Sequence, residues 1–116
     1  MNKFQILHNP ACSKSRQTLE ILSTEGKETE IINYLKTPPS FEQLKNILTM
    51  LNLTPSELMR KGESKYKELD LKNTTCSDDE LINIMLENPI LIERPIVIAA
   101  GKAIIGRPPE TVKSIF

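Results

Sequence analysis

Apolar positions along the chain come in short runs parted by turn-forming residues, and the spacing within the runs changes from continuous to helical and back. Phe4 to Leu7 reads as a short buried strand, broken by Asn9-Pro10. Ser13 to Glu25 then carries good helix formers with Leu19 and Leu22 on one face, and Gly26 supplies the stop. Glu30 to Leu35, with Ile31 and Ile32, reads as a second strand. A right-handed crossover would set it parallel to the first, so the chain opens with a βαβ unit.

The middle of the chain changes to helical spacing. Ser40 with Gln43, Thr54 with Glu57 and Ser77 with Glu80 have the capping-box separation, in which a hydroxyl and the side chain three residues on satisfy each other's orphan backbone amides. Behind these starts, Phe41, Leu44, Ile47, Leu48 and Leu51 share one helix face, Pro55 takes a favoured first position, and Leu81 pairs with Ile84 and Met85. Lys61 to Asp70 is polar and carries a weaker pattern. Pro95 to Ala99 and Ala103 to Ile105 flank Gly101-Lys102 as the arms of a β-hairpin, and Pro108-Pro109-Glu110 opens a closing helix with Val112 and Ile115.

The order β-α-β, helices, β-β-α predicts an α/β protein of thioredoxin-like fold: a mixed four-stranded sheet with a helical insertion, about residues 40–88, between its βαβ and ββα halves. At 116 residues the expectation is one domain over 1–116 and one site.

Composition narrows the function. Lys+Arg and Asp+Glu are equal at 15 each, so bulk electrostatics offers no reason for nucleic-acid or membrane binding. The N-terminal apolar stretch is too short for a signal peptide and no run is long enough to span a bilayer, which leads to an expectation of a cytoplasmic protein. Two distant cysteines and one histidine give no metal-ligand spacing, so free thiols and no bound metal or cofactor are expected.

Cys12 carries the candidate chemistry. It falls in the turn between a strand and a helix, where the unpaired amides of the first helical turn and the positive end of the dipole stabilise a thiolate. Ser13, Lys14, Ser15 and Arg16 add donors and positive charge, and the same terminus could hold an oxyanion beside the sulfur. A buried, inert cysteine is the competing reading, and the polar, basic surroundings count against it. For Cys76 the inert reading prevails. A dithiol redox motif would need a cysteine where Ser15 stands, and a phosphatase loop would need arginine where Thr18 stands. His8 could polarise the thiol, although a loop histidine satisfied by backbone fits as well. From spacing alone, Arg60, Arg94 and Arg107 read as surface charges. Arg94-Pro95 opens the third strand, where thioredoxin-like folds often carry a cis-proline facing the active-site helix.

Taken together, several blocks of the sequence resemble the glutaredoxin-coupled arsenate reductase family over residues 3 to 116. These are His8-Asn9-Pro10-Ala11-Cys12-Ser13-Lys14-Ser15-Arg16, Tyr34-Leu35-Lys36-Thr37-Pro38-Pro39, Leu58-Met59-Arg60-Lys61, Asn88 to Val97, and Gly106-Arg107-Pro108. With its last residue at Phe116, the chain is similar to the short chromosomal branch of that family. The resemblance implies that Cys12 attacks arsenate while Arg60, Arg94 and Arg107 bind the oxyanion, a task that suits the guanidinium fork. It also implies glutathione as co-substrate, glutaredoxin as partner, tuning of the thiolate by His8 and Ser15, and Pro95 as the cis-proline. Two further readings stay open: a glutathione-dependent thiol-disulfide oxidoreductase, and a regulator that binds RNA polymerase like the Spx-type proteins, whose usual C-x-x-C is replaced here by Cys12 and Ser15.

Overall fold

The computed structural model describes residues 3–116 and divides into two compact units, Met1–Thr37 with Arg94–Phe116, and Pro38–Glu93. The first unit holds a four-stranded sheet of β1 (Phe4–Leu7), β2 (Thr29–Ile32), β3 (Ile96–Ala99) and β4 (Lys102–Ile105), in the order β2-β1-β3-β4. β1 and β2 are parallel and joined by helix α1 (Ser13–Thr24), whereas β3 is antiparallel to both β1 and β4. This is the thioredoxin-like arrangement predicted from the order of the elements. Phe4, Ile6, Leu22, Val97, Ala99 and Val112 form its core, with Leu19, Ile21, Ile104 and Ile115 packed around them. α1 therefore packs on the sheet through the face that its leucine spacing marks.

The second strand is shorter than expected. Asn33 ends β2 at Ile32 because its Oδ1 accepts the Leu35 N–H and its carbonyl accepts from Lys36 and Thr37, forming a turn where Glu30 to Leu35 had suggested continuing strand. Because β2 is an edge strand, Ile31 is 54% exposed. β3 starts at Ile96, one residue after Pro95, which has no N–H for the ladder. The closing segment Pro109–Ile115 is a 3₁₀ helix packed against α1 and β4.

The register explains why chemistry collects at one end of the sheet. Ile32, Leu7, Ile96 and Ile105 lie side by side across the strands. The segments beginning at His8, ending at Pro95 and beginning at Gly106 therefore leave from the same end.

In the second unit all three capping boxes form, starting α2 (Phe41–Leu51), α3 (Pro55–Leu58) and α5 (Asp78–Glu87). The polar stretch contains one further short helix, α4 (Ser64–Glu68), ended by Asp70 in the left-handed region. Leu44, Ile47, Leu48, Leu58, Leu81, Ile82 and Met85 are buried, whereas Phe41, Leu51 and Ile84 are only partly so. α2 and α3 both pack on α5. No helix among the described residues is long and apolar enough to cross a membrane.

The hairpin turn offers a stability test. Ala100 (φ 52°) and Gly101 (φ 74°) are the two residues between the paired Ala99 and Lys102. Positive φ at both positions is the type I′ geometry, which favours Asn-Gly and strains an alanine. Ala100→Asn is expected to raise stability by about 0.5–1 kcal/mol, read as a higher urea midpoint at an unchanged slope.

Candidate active site

β1 stops being apolar at His8, whose N–H still pairs with the Ile32 carbonyl at 2.8 Å. The next residues reverse the chain: Cys12 N–H donates to the Asn9 carbonyl at 3.0 Å, closing a turn with Pro10 at its second position. Cys12 is then the N-cap of α1, in extended backbone conformation, and its carbonyl accepts the Arg16 N–H at 3.0 Å. A serine, threonine or aspartate in that seat would accept an amide of the first turn through oxygen. Here sulfur holds the seat, and a neutral thiol makes no capping hydrogen bond of ordinary geometry.

Ionisation changes what the sulfur can accept. Burial by itself pushes the Cys12 thiol up, but the amides of Ser15 and Lys14 and the Arg94 guanidinium outweigh it and hold the pKa below the usual 9.0. Arg107 reaches the same atom, with Nη2 at 3.5 Å from Sγ, while its Nε donates to the Arg94 carbonyl at 2.7 Å. Arg94 and Arg107 are thus tied to each other as well as aimed at one sulfur. Both flank prolines with cis peptide bonds, Arg94-Pro95 as the third-strand position suggests, and Arg107-Pro108, for which the sequence held no comparable cue.

His8 and Ser15 are brought together too. His8 Nδ1 and Ser15 Oγ lie 2.6 Å apart in a buried pair, and the Asn9 N–H also donates to that hydroxyl oxygen at 3.1 Å. The Ser15 O–H then points to Nδ1, an assignment that leaves the imidazole proton on Nε2. Burial, helped by the nearby Arg16 charge, keeps the His8 pKa below 6.5, so the ring is neutral at neutral pH.

Arg60 belongs to the second unit. There its Nε donates to Glu63 at 3.1 Å and its Nη1 to Glu93 at 2.6 Å, while its backbone N–H donates to the Leu91 carbonyl at 2.7 Å. Cys76 is a partly exposed free cysteine before the cap of α5. Among the described residues no group of three or more His, Cys, Asp or Glu side chains could hold a metal.

One contributor, Asn9, escaped the reading of the sequence, and a second, Arg16, was read only as added positive charge. Asn9 accepts the Ala11 N–H on its own side-chain oxygen at 3.0 Å, and Arg16 Nη1 donates to the Pro10 carbonyl at 2.8 Å. Asn-Pro was legible as a turn start, but the residues that the turn would serve were not.

The arrangement presents a nucleophilic sulfur beside two guanidinium groups and a helix terminus, which is equipment for attack on a tetrahedral oxyanion. A model of the ArsC family matches residues 7–115. The chain is 50% identical to the "uncharacterized protein YfgD" of Escherichia coli K12, over 96% of this chain and 94% of that protein. It is 42% identical to a Neisseria meningitidis serogroup A protein named arsenate reductase, over the full length of both. A solved structure titled arsenate reductase from Vibrio cholerae superposes with a TM-score of 0.94 at 48% identity, covering 98% of each chain. The full-length likeness and the thiol at the head of α1 lead to one conclusion: this chain belongs to the ArsC family.

Proposed function

We propose that the chain is an arsenate reductase that takes its electrons from glutathione and glutaredoxin. The observation that carries the proposal is the single sulfur of Cys12, favoured as thiolate by the amides of Ser15 and Lys14 and by Arg94, with Arg107 Nη2 at 3.5 Å. Relatives named arsenate reductase at 42% identity over the whole chain support arsenate as the oxyanion.

Cys12 Sγ bonds to arsenic as one arsenate oxygen leaves as water. Arg94 and Arg107 stabilise the charge on the remaining oxygens, and the helix terminus adds its field. Glutathione then supplies the second sulfur. The two sulfurs join as a mixed disulfide, the electron pair of the arsenic-sulfur bond stays on arsenic, and arsenite departs. A glutaredoxin thiol attacks the disulfide and frees the Cys12 thiolate. One arsenate thus consumes two thiols and yields one disulfide. An external thiol is required because Ser15 stands where a resolving cysteine would be.

Neutral His8 and Ser15 hold the loop through their shared hydrogen bond. Arg60 keeps the oxyanion role as a proposal on sequence likeness, and cytoplasmic placement is proposed on the need for a reducing thiol pool.

Three outcomes test this reading. Arsenate-dependent NADPH oxidation, coupled through glutathione, glutaredoxin and glutathione reductase, is expected for the parent and lost in Cys12→Ser; full turnover in that variant would remove the mechanism. Arg94→Ala is expected to lose roughly 1.5–3 kcal/mol of charge-assisted hydrogen bonding, about 10- to 100-fold in kcat/KM; unchanged kinetics would return Arg94 to a surface charge.

The third outcome concerns pH. The Cys12 pKa is lower folded than unfolded, so its ionisation contributes nothing well below the folded value, adds stability as pH rises through it, and reaches a plateau above the unfolded value of 9.0. The stability of the parent relative to Cys12→Ser, from urea unfolding under reducing conditions, is therefore expected to grow with pH up to about 9. His8, with its lowered pKa, loses stability on acidification below 6.5 in both proteins and cancels from the difference. A flat difference would contradict a stabilised thiolate.

A further inference from the structure

The turn that delivers Cys12 is built around a residue to which the reaction assigns nothing. Asn9 is 5% exposed, and each of its groups that faces the loop has its own partner. Its N–H donates to Ser15 Oγ at 3.1 Å, its carbonyl accepts from Cys12 N–H at 3.0 Å, and its Oδ1 accepts from Ala11 N–H at 3.0 Å. The last bond places an Asx turn on top of the backbone turn, so the Pro10-Ala11 peptide is fixed from both sides. Pro10 contributes a locked φ, and Arg16 holds the Pro10 carbonyl from the helix side at 2.8 Å.

The sulfur's place depends on those dihedrals. Cys12 has a single side-chain torsion between its backbone and Sγ, so the few positions open to the sulfur are set by where the turn leaves the backbone. If the Pro10-Ala11 peptide could rotate, Sγ would leave the amides of Lys14 and Ser15 and drift from Arg107 Nη2, now 3.5 Å away. We propose that Asn9 is a positioning residue for Cys12, its carboxamide oxygen locking the turn so that the sulfur sits in the helix cap facing the first-turn amides. This rests on Cys12 being the reacting group.

The residue type follows from the same demand. The seat needs a short side chain with an acceptor two residues before the Ala11 amide. Aspartate would meet the geometry but would set a second negative charge near a thiolate, which disfavours it. Serine reaches the amide more weakly, and leucine has similar bulk with no acceptor. Asparagine alone supplies a strong acceptor of the right length without charge.

The test compares Asn9→Leu, Asn9→Ala and Asn9→Ser with the parent, in proteins shown by circular dichroism to be folded. Arg94, Arg107 and His8 are untouched in all of them, so a change in Cys12 reports the turn. The readouts are the pH profile of Cys12 alkylation by iodoacetamide, with Cys76→Ser as background, and KM and kcat for arsenate. In Asn9→Leu and Asn9→Ala the thiolate is expected to form about one pH unit higher, lowering alkylation near neutral pH about tenfold. Asn9→Ser is expected to recover part of that loss.

A parent-like alkylation profile in Asn9→Leu or Asn9→Ala would overturn the proposal, as would Asn9→Ser that is no better than Asn9→Ala. If Asn9→Leu does not fold, the alanine and serine pair decides by the same comparison. Alkylation needs no arsenate, so the two claims part cleanly. A parent without arsenate turnover counts against the reductase reading only, while an arsenate-reducing enzyme with an unchanged Asn9→Leu thiol counts against the positioning role only.

Discussion

Everything at the candidate site depends on one mismatch: the first amides of α1 need an acceptor, and the atom in the capping seat is sulfur. A hydroxyl would satisfy them without cost, whereas a thiol satisfies them only when it ionises. Desolvation opposes ionisation, so the balance is decided by how many donors converge on Sγ, and here Ser15, Lys14 and Arg94 outweigh burial. Helix capping and thiolate stabilisation are consequently the same interaction seen from two sides.

The convergence comes from strand register. Ile32, Leu7, Ile96 and Ile105 form one row across the sheet, and the segments that begin or end beside that row carry Cys12, Arg94 and Arg107. Arg107 Nε on the Arg94 carbonyl then links two segments thirteen residues apart in the chain. Arg60 follows a different logic: within the helical unit its guanidinium is held by Glu63 and Glu93.

The chain from β1 into α1 carries a layer of buried polar residues. His8, Asn9, Ser15 and Thr18 are all buried, and each finds a hydrogen-bond partner nearby, with Thr18 Oγ1 donating to the Lys14 carbonyl at 2.9 Å. Burying four such groups is tolerable only because they satisfy one another or the backbone, and the bonds among His8, Asn9 and Ser15 tie the loop between β1 and α1 to the helix. Neutral histidine fits this layer, since a charged ring would be buried beside the Arg16 field.

Local chemistry was legible in the sequence. The capping boxes at Ser40, Thr54 and Ser77 form as their spacing predicts, because a cap involves residues three apart and little else. The βαβ opening, the hairpin and the position of Cys12 at the start of the first helix were legible for the same reason. The early end of β2 was not, since Asn33 makes a turn that the apolar run ahead of it hides. Nor did spacing distinguish Arg94 and Arg107 from ordinary surface charges; the family likeness singled them out, and the sheet register places them on Cys12. The sequence by itself determined where helices start, where the chain turns and which cysteine stands at the head of a helix, because these rest on contacts within a few residues. Only the tertiary structure decided which distant guanidinium groups meet that sulfur, because their approach depends on pairing between strands far apart in the chain.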